Sequence, residues 1–266
     1  MSFQPVIPFS GYAGWAFLKR TMATQQATLD STAAAKRDEA YFRANIGKID
    51  SAEELIADRR LLSVALTAFG LESDINNKAF IRKVLEDGTL DKGSLANRLA
   101  NKQYQKLSAA FGFGDQLVPL NKLSGFADKI LPQYSTQKFE AAVGEQNNEY
   151  RVALNAEREI AALATKTGSE DAKWYTVLGS SPLREAFQTA LGLPSSFAAI
   201  DLDKQLEMIK VKAKSVFGAD TISQFTDSAK MEKLVRTYIV RAEIGAVNSG
   251  TSAGSAALKL LSGLVR

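Results

Sequence analysis

Five times in this chain a large apolar residue is followed directly by glycine where a helical pattern stops: Phe69-Gly70, Phe111-Gly112, Leu178-Gly179, Leu191-Gly192 and Phe217-Gly218. Glycine enters the left-handed conformation without steric cost, and that conformation turns a chain out of a helix while the last apolar side chain still faces the core. A chain stopped this often has to be built from many short helices. No alternation of apolar and polar residues long enough for a strand accompanies these stops. The sequence therefore predicts an all-α fold: a bundle-like array of mostly short helices, with a long N-terminal helix and a flexible C-terminal tail carrying a short amphipathic helix. An apolar content of 45% over 266 residues is enough to bury the core such an array needs.

The long helix is expected from about Tyr12 to Asn45, after a charge-free stretch that reads as a loose leader. Trp15, Leu18, Met22 and Leu29 fall on a 3.5-residue seam whose next positions are Gln25, Thr32 and Lys36, so its apolar character fades. A coiled-coil partner or another part of the same chain could cover that greasy end. Gly47 closes the element, and Ser51 with Glu54 has capping-box spacing for the next. Helices are then expected over Leu55 to Phe69, Asn76 to Glu86 and Leu95 to Phe111, the last with Leu95, Leu99, Leu107 and Phe111 inward. Asp115 to Pro132 is irregular, punctuated by Pro119, Gly125 and Pro132.

Ser135 reads as the cap of a helix reaching about Lys166, followed by helices over Glu170 to Leu178, Pro182 to Leu191, Asp203 to Phe217 and Asp227 to Ile244. Gly245 to Gly254 is a run of small uncharged residues, and beyond it Ala257, Leu260, Leu261 and Leu264 share one face of a helix too short to stand alone. That face must dock on the chain or on a partner. The expected organisation is residues 1–46 as leader and seamed helix, 47–114 as a helical subdomain, 115–134 as connector, 135–244 as a second helical subdomain and 245–266 as tail. One continuous domain over 47–244 is the alternative. The segments LSVALTAFGL and LREAFQTALGL, at 62–71 and 183–193, match in pattern, which a degenerate duplication or chance explains equally well.

Histidine and cysteine are both absent, which removes thiol nucleophiles, disulfides, Cys/His zinc sites and imidazole acid-base chemistry. Ser135-Thr136-Gln137-Lys138 has Ser-x-x-Lys spacing, and Lys166-Thr167-Gly168 resembles the third motif of such serine enzymes, but no Ser-x-Asn box stands between them. Capping by Ser135 is the simpler reading. Asp87, Thr89, Asp91 and Gly93 superficially resemble a calcium loop, yet Lys92 occupies the place of the tight-turn glycine and Arg98 that of the closing glutamate. Gly47-Lys48 lacks the rest of a phosphate loop. Glu157 with Glu159, and Asp201 with Asp203, are spaced to diverge on a helix. No catalytic, cofactor-binding or metal-ligating set is expected.

The net charge of +4 is modest, but seven cations against three anions between Lys78 and Lys106 hold a surplus of that same size. Arg98, Lys102 and Lys106 are four apart, which on one helix makes a basic stripe. A solvated face or an acidic partner accounts for it. Nucleic acid is disfavoured because no aromatic residues interleave the stripe. No cleaved signal is expected, since Pro5 and Pro8 interrupt the leader and no basic segment precedes it, and no run is long and apolar enough to span a membrane.

The blocks AYFRANI at 40–46, DRRLLSVALTAFGL at 58–71, INNKAFIRKVLEDG at 75–88, LANRLANKQY at 95–104, AAFGFGD at 109–115 and GLPSSFAAID at 192–201 carry a family resemblance. The chain resembles the bacterial domain-of-unknown-function family 1217, whose genes commonly lie among flagellar genes of alphaproteobacteria. The resemblance implies a flagellum-associated, non-enzymatic role and carries no functional residues with it. The expected function is thus a structural or assembly protein acting through helix-helix contacts with flagellar components or with itself, in the bacterial cytoplasm or exported to the flagellum. An export chaperone or adaptor is the alternative, with a small-molecule site in Asp115 to Pro132 or nucleic-acid binding at Lys78 to Lys106 behind it. Trp15, Leu18, Met22 and Leu29, with Leu260, Leu261 and Leu264, are the candidate contact residues.

Overall fold

The computed structural model describes residues 3–248, in which thirteen α-helices and several 3-10 turns form an all-α bundle without strands. The chain divides into two compact units, one made of the residues up to 6 and 21–145, the other of 7–20 and the residues from 146 onward. Helix α1 (Gly11–Ser31) contributes its first turns to the second unit and its remainder to the first. The expected start of a second subdomain at residue 135 falls inside a helix that spans Phe126–Gln146.

The first unit contains α2 (Ala33–Asn45), α3 (Ala52–Ala57), α4 (Arg59–Ala68), α5 (Lys78–Asp87), α6 (Leu95–Arg98), α7 (Gln103–Phe111) and α8 (Phe126–Gln146). Phe42, Leu55, Leu61, Leu66, Ile81 and Phe111 come from α2, α3, α4, α5 and α7 and meet in one core. The Phe111 ring meets Phe126 edge-on at 5.1 Å. Burying side chains of this size stabilises by about 1.5–3 kcal/mol each before chain entropy is subtracted.

The second unit contains α9 (Asn148–Thr165), α10 (Glu170–Gly179), α11 (Ser181–Leu191), α12 (Leu202–Phe217) and α13 (Ser228–Asn248). Helix α11 is its centre, packed on both α9 and α13. A run of edge-on rings, Trp174 to Phe187 at 5.0 Å, Phe187 to Phe225 at 5.6 Å and Phe225 to Phe217 at 5.4 Å, ties four elements together. The Trp174 indole N–H donates to the Asp220 carbonyl at 2.7 Å, so burying the ring leaves no polar atom unpaired.

Four of the five apolar-glycine stops have glycine in the left-handed region, at Gly70, Gly112, Gly192 and Gly218. Gly179 is the exception, being the last residue of α10, and the turn is made by an extended Ser180. The expected helix from Tyr12 to Asn45 is broken at Thr32, which turns extended, donates its hydroxyl to the Leu29 carbonyl at 2.7 Å and accepts from the Ala35 amide at 3.2 Å. A threonine placed so closes one helix and caps the next.

The helix expected to start at Ser135 starts instead at Phe126 and passes through Pro132. The missing proline amide orphans the Asp128 carbonyl, but Asp128 and Pro132 are both exposed, so water can satisfy it. That helix ends at Gln146, and Asn147 caps α9 by accepting from the Tyr150 amide at 2.9 Å. The tail helix with Leu260, Leu261 and Leu264 lies outside the described residues.

Candidate protein-docking surface

Three of the four seam residues of α1 are buried in the chain's own core: Trp15 is 4% exposed, Leu18 and Leu29 are similarly covered, and Met22 is half-buried. The Trp15 ring packs on Tyr150 at 6.0 Å, and the Tyr150 hydroxyl donates to the Gly11 carbonyl at 2.6 Å. Lys19 lies over the Trp15 ring and pairs with Glu157 at 2.6 Å, while the Tyr12 hydroxyl donates to Glu232 at 2.9 Å. Helices α9 and α13 therefore cover the first turns of α1. Of the two covers open to the sequence, another part of the same chain is the one found, and Trp15, Leu18 and Leu29 are not available as a contact surface.

The polar seam position Gln25 has its own purpose. Its side-chain oxygen accepts from the Val6 amide at 2.7 Å and its nitrogen donates to the Val6 carbonyl at 3.1 Å. The leader is thus anchored at Val6 rather than loose, by the same pair of bonds that a neighbouring strand would make.

The basic stripe does not form, because its helix is interrupted. Arg98 ends α6, Leu99 is extended and Lys102 precedes α7, so the three cations do not share one helix face. The break is held by side chains: Asn97 donates to the carbonyls of Thr89 and Asp91, each at 2.7 Å, and Lys102 donates to the Asn97 carbonyl at 2.7 Å. Lysine here satisfies a helix end rather than presenting charge.

The candidate chemical motifs are also separated. Ser135 donates to Asp30 at 2.6 Å, whereas Lys138 donates to the Tyr134 hydroxyl at 2.7 Å and to Asp38 at 3.3 Å. Arg60 completes that half-buried group, its guanidinium 3.3 Å from Asp38 and its face 4.5 Å from the Tyr41 ring. Burial, reinforced by the Asp38 charge, raises the Tyr134 phenol far above its ordinary value, so it holds its proton. Asp87 pairs with Lys83, Thr89 with Asp115, and Asp91 with the Gly93 amide, so the resemblance to a calcium loop is one of spacing alone.

The sequence did not flag the buried Lys173, whose ammonium donates to Glu170 at 3.1 Å, to Ser223 at 2.5 Å and to the Ala164 carbonyl at 3.3 Å. Burial pushes the Glu170 carboxyl up, but the Ser223 hydroxyl and amide, Lys173 and the Ile222 amide outweigh it and hold the group below its usual range. Only the three-residue spacing of Glu170 and Lys173 hinted at this pair.

The first unit also leaves some apolar side chains uncovered. Between α7 and α8 runs a groove of about 340 Å³ lined by Phe69, Ala110, Leu120, Leu123, Phe126 and Ile130, with Lys129 and Gln133 along the α8 side. Phe126, Lys129, Ile130 and Gln133 fall three and four apart and so share one face of α8. Leu123 is 57% exposed, and beside this groove in sequence Leu117 is fully exposed and Val118 largely so.

Leu90 joins them through a loop clamp. The Asp115 carboxylate accepts from the Thr89 amide and hydroxyl at 2.8 Å and from the Leu90 amide at 3.1 Å. Burial raises the Asp115 pKa, and these donors more than reverse it. The backbones meet so closely that a Cβ on Gly114 would lie 2.2 Å from the Glu86 carbonyl oxygen. Four large aliphatic side chains thus stand in solvent, Leu90 on a loop that Asp115 holds and Leu117, Val118 and Leu123 on the segment between α7 and α8. Sequence reasoning marked Asp115 to Pro132 as irregular but had no signal for its exposure, since outward leucines in a loop have no period.

Together these features define an all-α protein with exposed apolar side chains beside an open groove, without a metal-ligand cluster among the described residues. Residues 68–231 match the model of a family described as protein of unknown function (DUF1217), and the chain belongs to that family. Its fold is similar to the crystal structure of an Agrobacterium tumefaciens protein, at 27% identity and a TM-score of 0.72, covering 91% of this chain and 99% of that one. No curated protein matches.

The blocks at 75–88, 95–104, 109–115 and 192–201 lie inside the matched span, whereas 40–46 and most of 58–71 precede it. Two of them, ending at Gly88 and Asp115, are the two halves of the clamp. The block from Gly192 ends on Asp201, whose side chain caps α12 by accepting from the Asp203 amide at 3.0 Å.

Proposed function

We propose that the protein is a non-enzymatic structural or assembly component of the bacterial flagellum that acts by apolar contact with another protein. The contact part rests on one observation: Leu90, Leu117, Val118 and Leu123 stand exposed, the first of them on a loop that the Asp115 carboxylate holds. Exposed aliphatic groups on ordered backbone, next to an open groove, are what protein-binding sites present in the free state. The flagellar part is supported by what the family resemblance implies through its gene neighbourhood. No described helix is long and apolar enough to cross a membrane.

The test is fractionation of the bacterium that carries the gene, with the chain tagged at its native locus. The protein is expected to accompany purified flagellar structures and to leave them when Leu117 and Val118 are both replaced by aspartate. Recovery in the cytosol, bound to an unexported flagellar subunit, would assign the export-chaperone role instead. Absence from both fractions would refute the flagellar reading.

A further inference from the structure

We infer that the chain is two copies of one helical module, α1–α7 and α8–α13, and that each copy docks the first half of its long leading helix on the other. The elements recur in one order with the same local devices. Helices α1 and α8 both have 21 residues. Each is followed by a side chain that accepts from the amide three positions on, Thr32 from Ala35 at 3.2 Å and Asn147 from Tyr150 at 2.9 Å. Ser51 and Ser169 then cap α3 and α10 in one way, accepting from the Glu54 and Ala172 amides, each at 3.2 Å. Helices α4 and α11 end on matching pairs of amide-to-carbonyl bonds: Gly70 to Thr67 and Leu71 to Leu66, both at 2.9 Å, and Gly192 to Thr189 at 3.1 Å with Leu193 to Gln188 at 2.9 Å.

Packing follows the same plan. Helix α4 lies on α2 and α3, with α5 on α3, while α11 lies on α9 and α10, with α12 on α10. Buried Leu61, Ala65, Ala68 and Leu71 recur in register as Leu183, Phe187, Ala190 and Leu193. A 3-10 turn follows each set, at Glu72–Asp74 and Ser195–Ala199, and α5 and α12 both stop at a glycine of positive φ, Gly88 and Gly218. A serine cap or a glycine stop is common alone. Their recurrence in one order and on one packing plan is the mark of a repeat.

The leading helices are exchanged between the copies. Phe126, at the start of α8, packs on Phe42 of α2 at 6.5 Å and on Phe111 of α7 at 5.1 Å, and the Tyr134 hydroxyl donates to Asp38 of α2 at 3.0 Å. The first half of α1 takes the equivalent place on α9 and α13, with Trp15 on Tyr150, Lys19 on Glu157 and Tyr12 on Glu232. Gly14, Trp15 and Leu18 are buried on one leading helix and Ile130, Leu131 and Tyr134 on the other, at the same spacing. This is why the first turns of α1 fall in the second compact unit and α8 in the first. Each module thus presents a face, α2 with α7 or α9 with α13, whose fitting partner is the leading helix of a like module. That is the arrangement of a swapped dimer written into one chain.

The test cuts the full chain at a protease site inserted between Leu117 and Val118, both exposed and lying between the modules. The two pieces are expected to elute together at the size of the uncut chain and to part only in denaturant, because each holds a helix of the other. Pieces that separate in native buffer overturn the exchange. Equivalence of the copies is read from a circular permutant that begins at Val118, ends at Leu117 and joins residue 266 to residue 1. The connection from α13 to α1 then replaces the one from α7 to α8. The permutant is expected to keep the helical signal and to melt within about 5 °C of the parent. A permutant that stays unfolded overturns the duplication, whatever the cut chain does.

Discussion

Trp15→Ala is expected to lower stability by about 3–5 kcal/mol, the range for removing a large aromatic side chain from a packed core. The ring is 4% exposed, packs against Tyr150 and lies beneath Lys19, so truncation leaves a cavity and also removes a cation-π contact. Domains are typically stable by only about 5–15 kcal/mol, so the variant should unfold at a visibly lower denaturant concentration. The protein's other tryptophan, Trp174, lies in the same unit and reports that transition by fluorescence in the variant. Met22→Ala, on the same seam but half-buried, should cost about 1 kcal/mol. Both losses should be independent of protein concentration. A seam kept for a partner would instead leave the melting of the lone chain unaltered by Trp15→Ala.

Gly114→Ala is expected to cost about 3 kcal/mol, at the upper end for forcing atoms into a filled space. The added methyl would lie 2.2 Å from the Glu86 carbonyl oxygen and 2.5 Å from the Gly88 nitrogen, both backbone atoms that cannot swing aside. The two loops would have to part. That breaks the bonds from Thr89 and Leu90 to Asp115, leaving a partly buried carboxylate short of donors. Gly47→Ala is the control, since a methyl there meets nothing within 4 Å, and it should change stability by less than about 0.5 kcal/mol. Thermal melting of the two variants measures the difference.

The all-helical character was legible because glycine stops and helical periods are local signals, each readable within a few residues. Thr32 was not read as a break, since a threonine on a helical seam looks the same whether its hydroxyl bonds solvent or its own backbone. Arg98 to Lys106 failed as a stripe for a related reason. The interruption is stabilised by Asn97 reaching Thr89, eight residues away, and no periodicity reports such a bond.

The cover of Trp15 was ambiguous in principle, because an apolar stripe states that something must bury it and not what does. Tyr150 lies 135 residues downstream of Trp15, beyond any pattern window. The docking surface was the least legible part. Leu117 and Val118 resemble core residues in composition, and no local pattern marks them as exposed.

The claim that contact through this surface is the protein's task is tested most directly by swimming. In the bacterium that carries the gene, a strain making Leu117→Asp and Leu123→Asp together should accumulate the chain at its normal level, with an unchanged melting temperature, and fail to spread in soft agar. A strain with the same folded variant that spreads as far as its parent would contradict it.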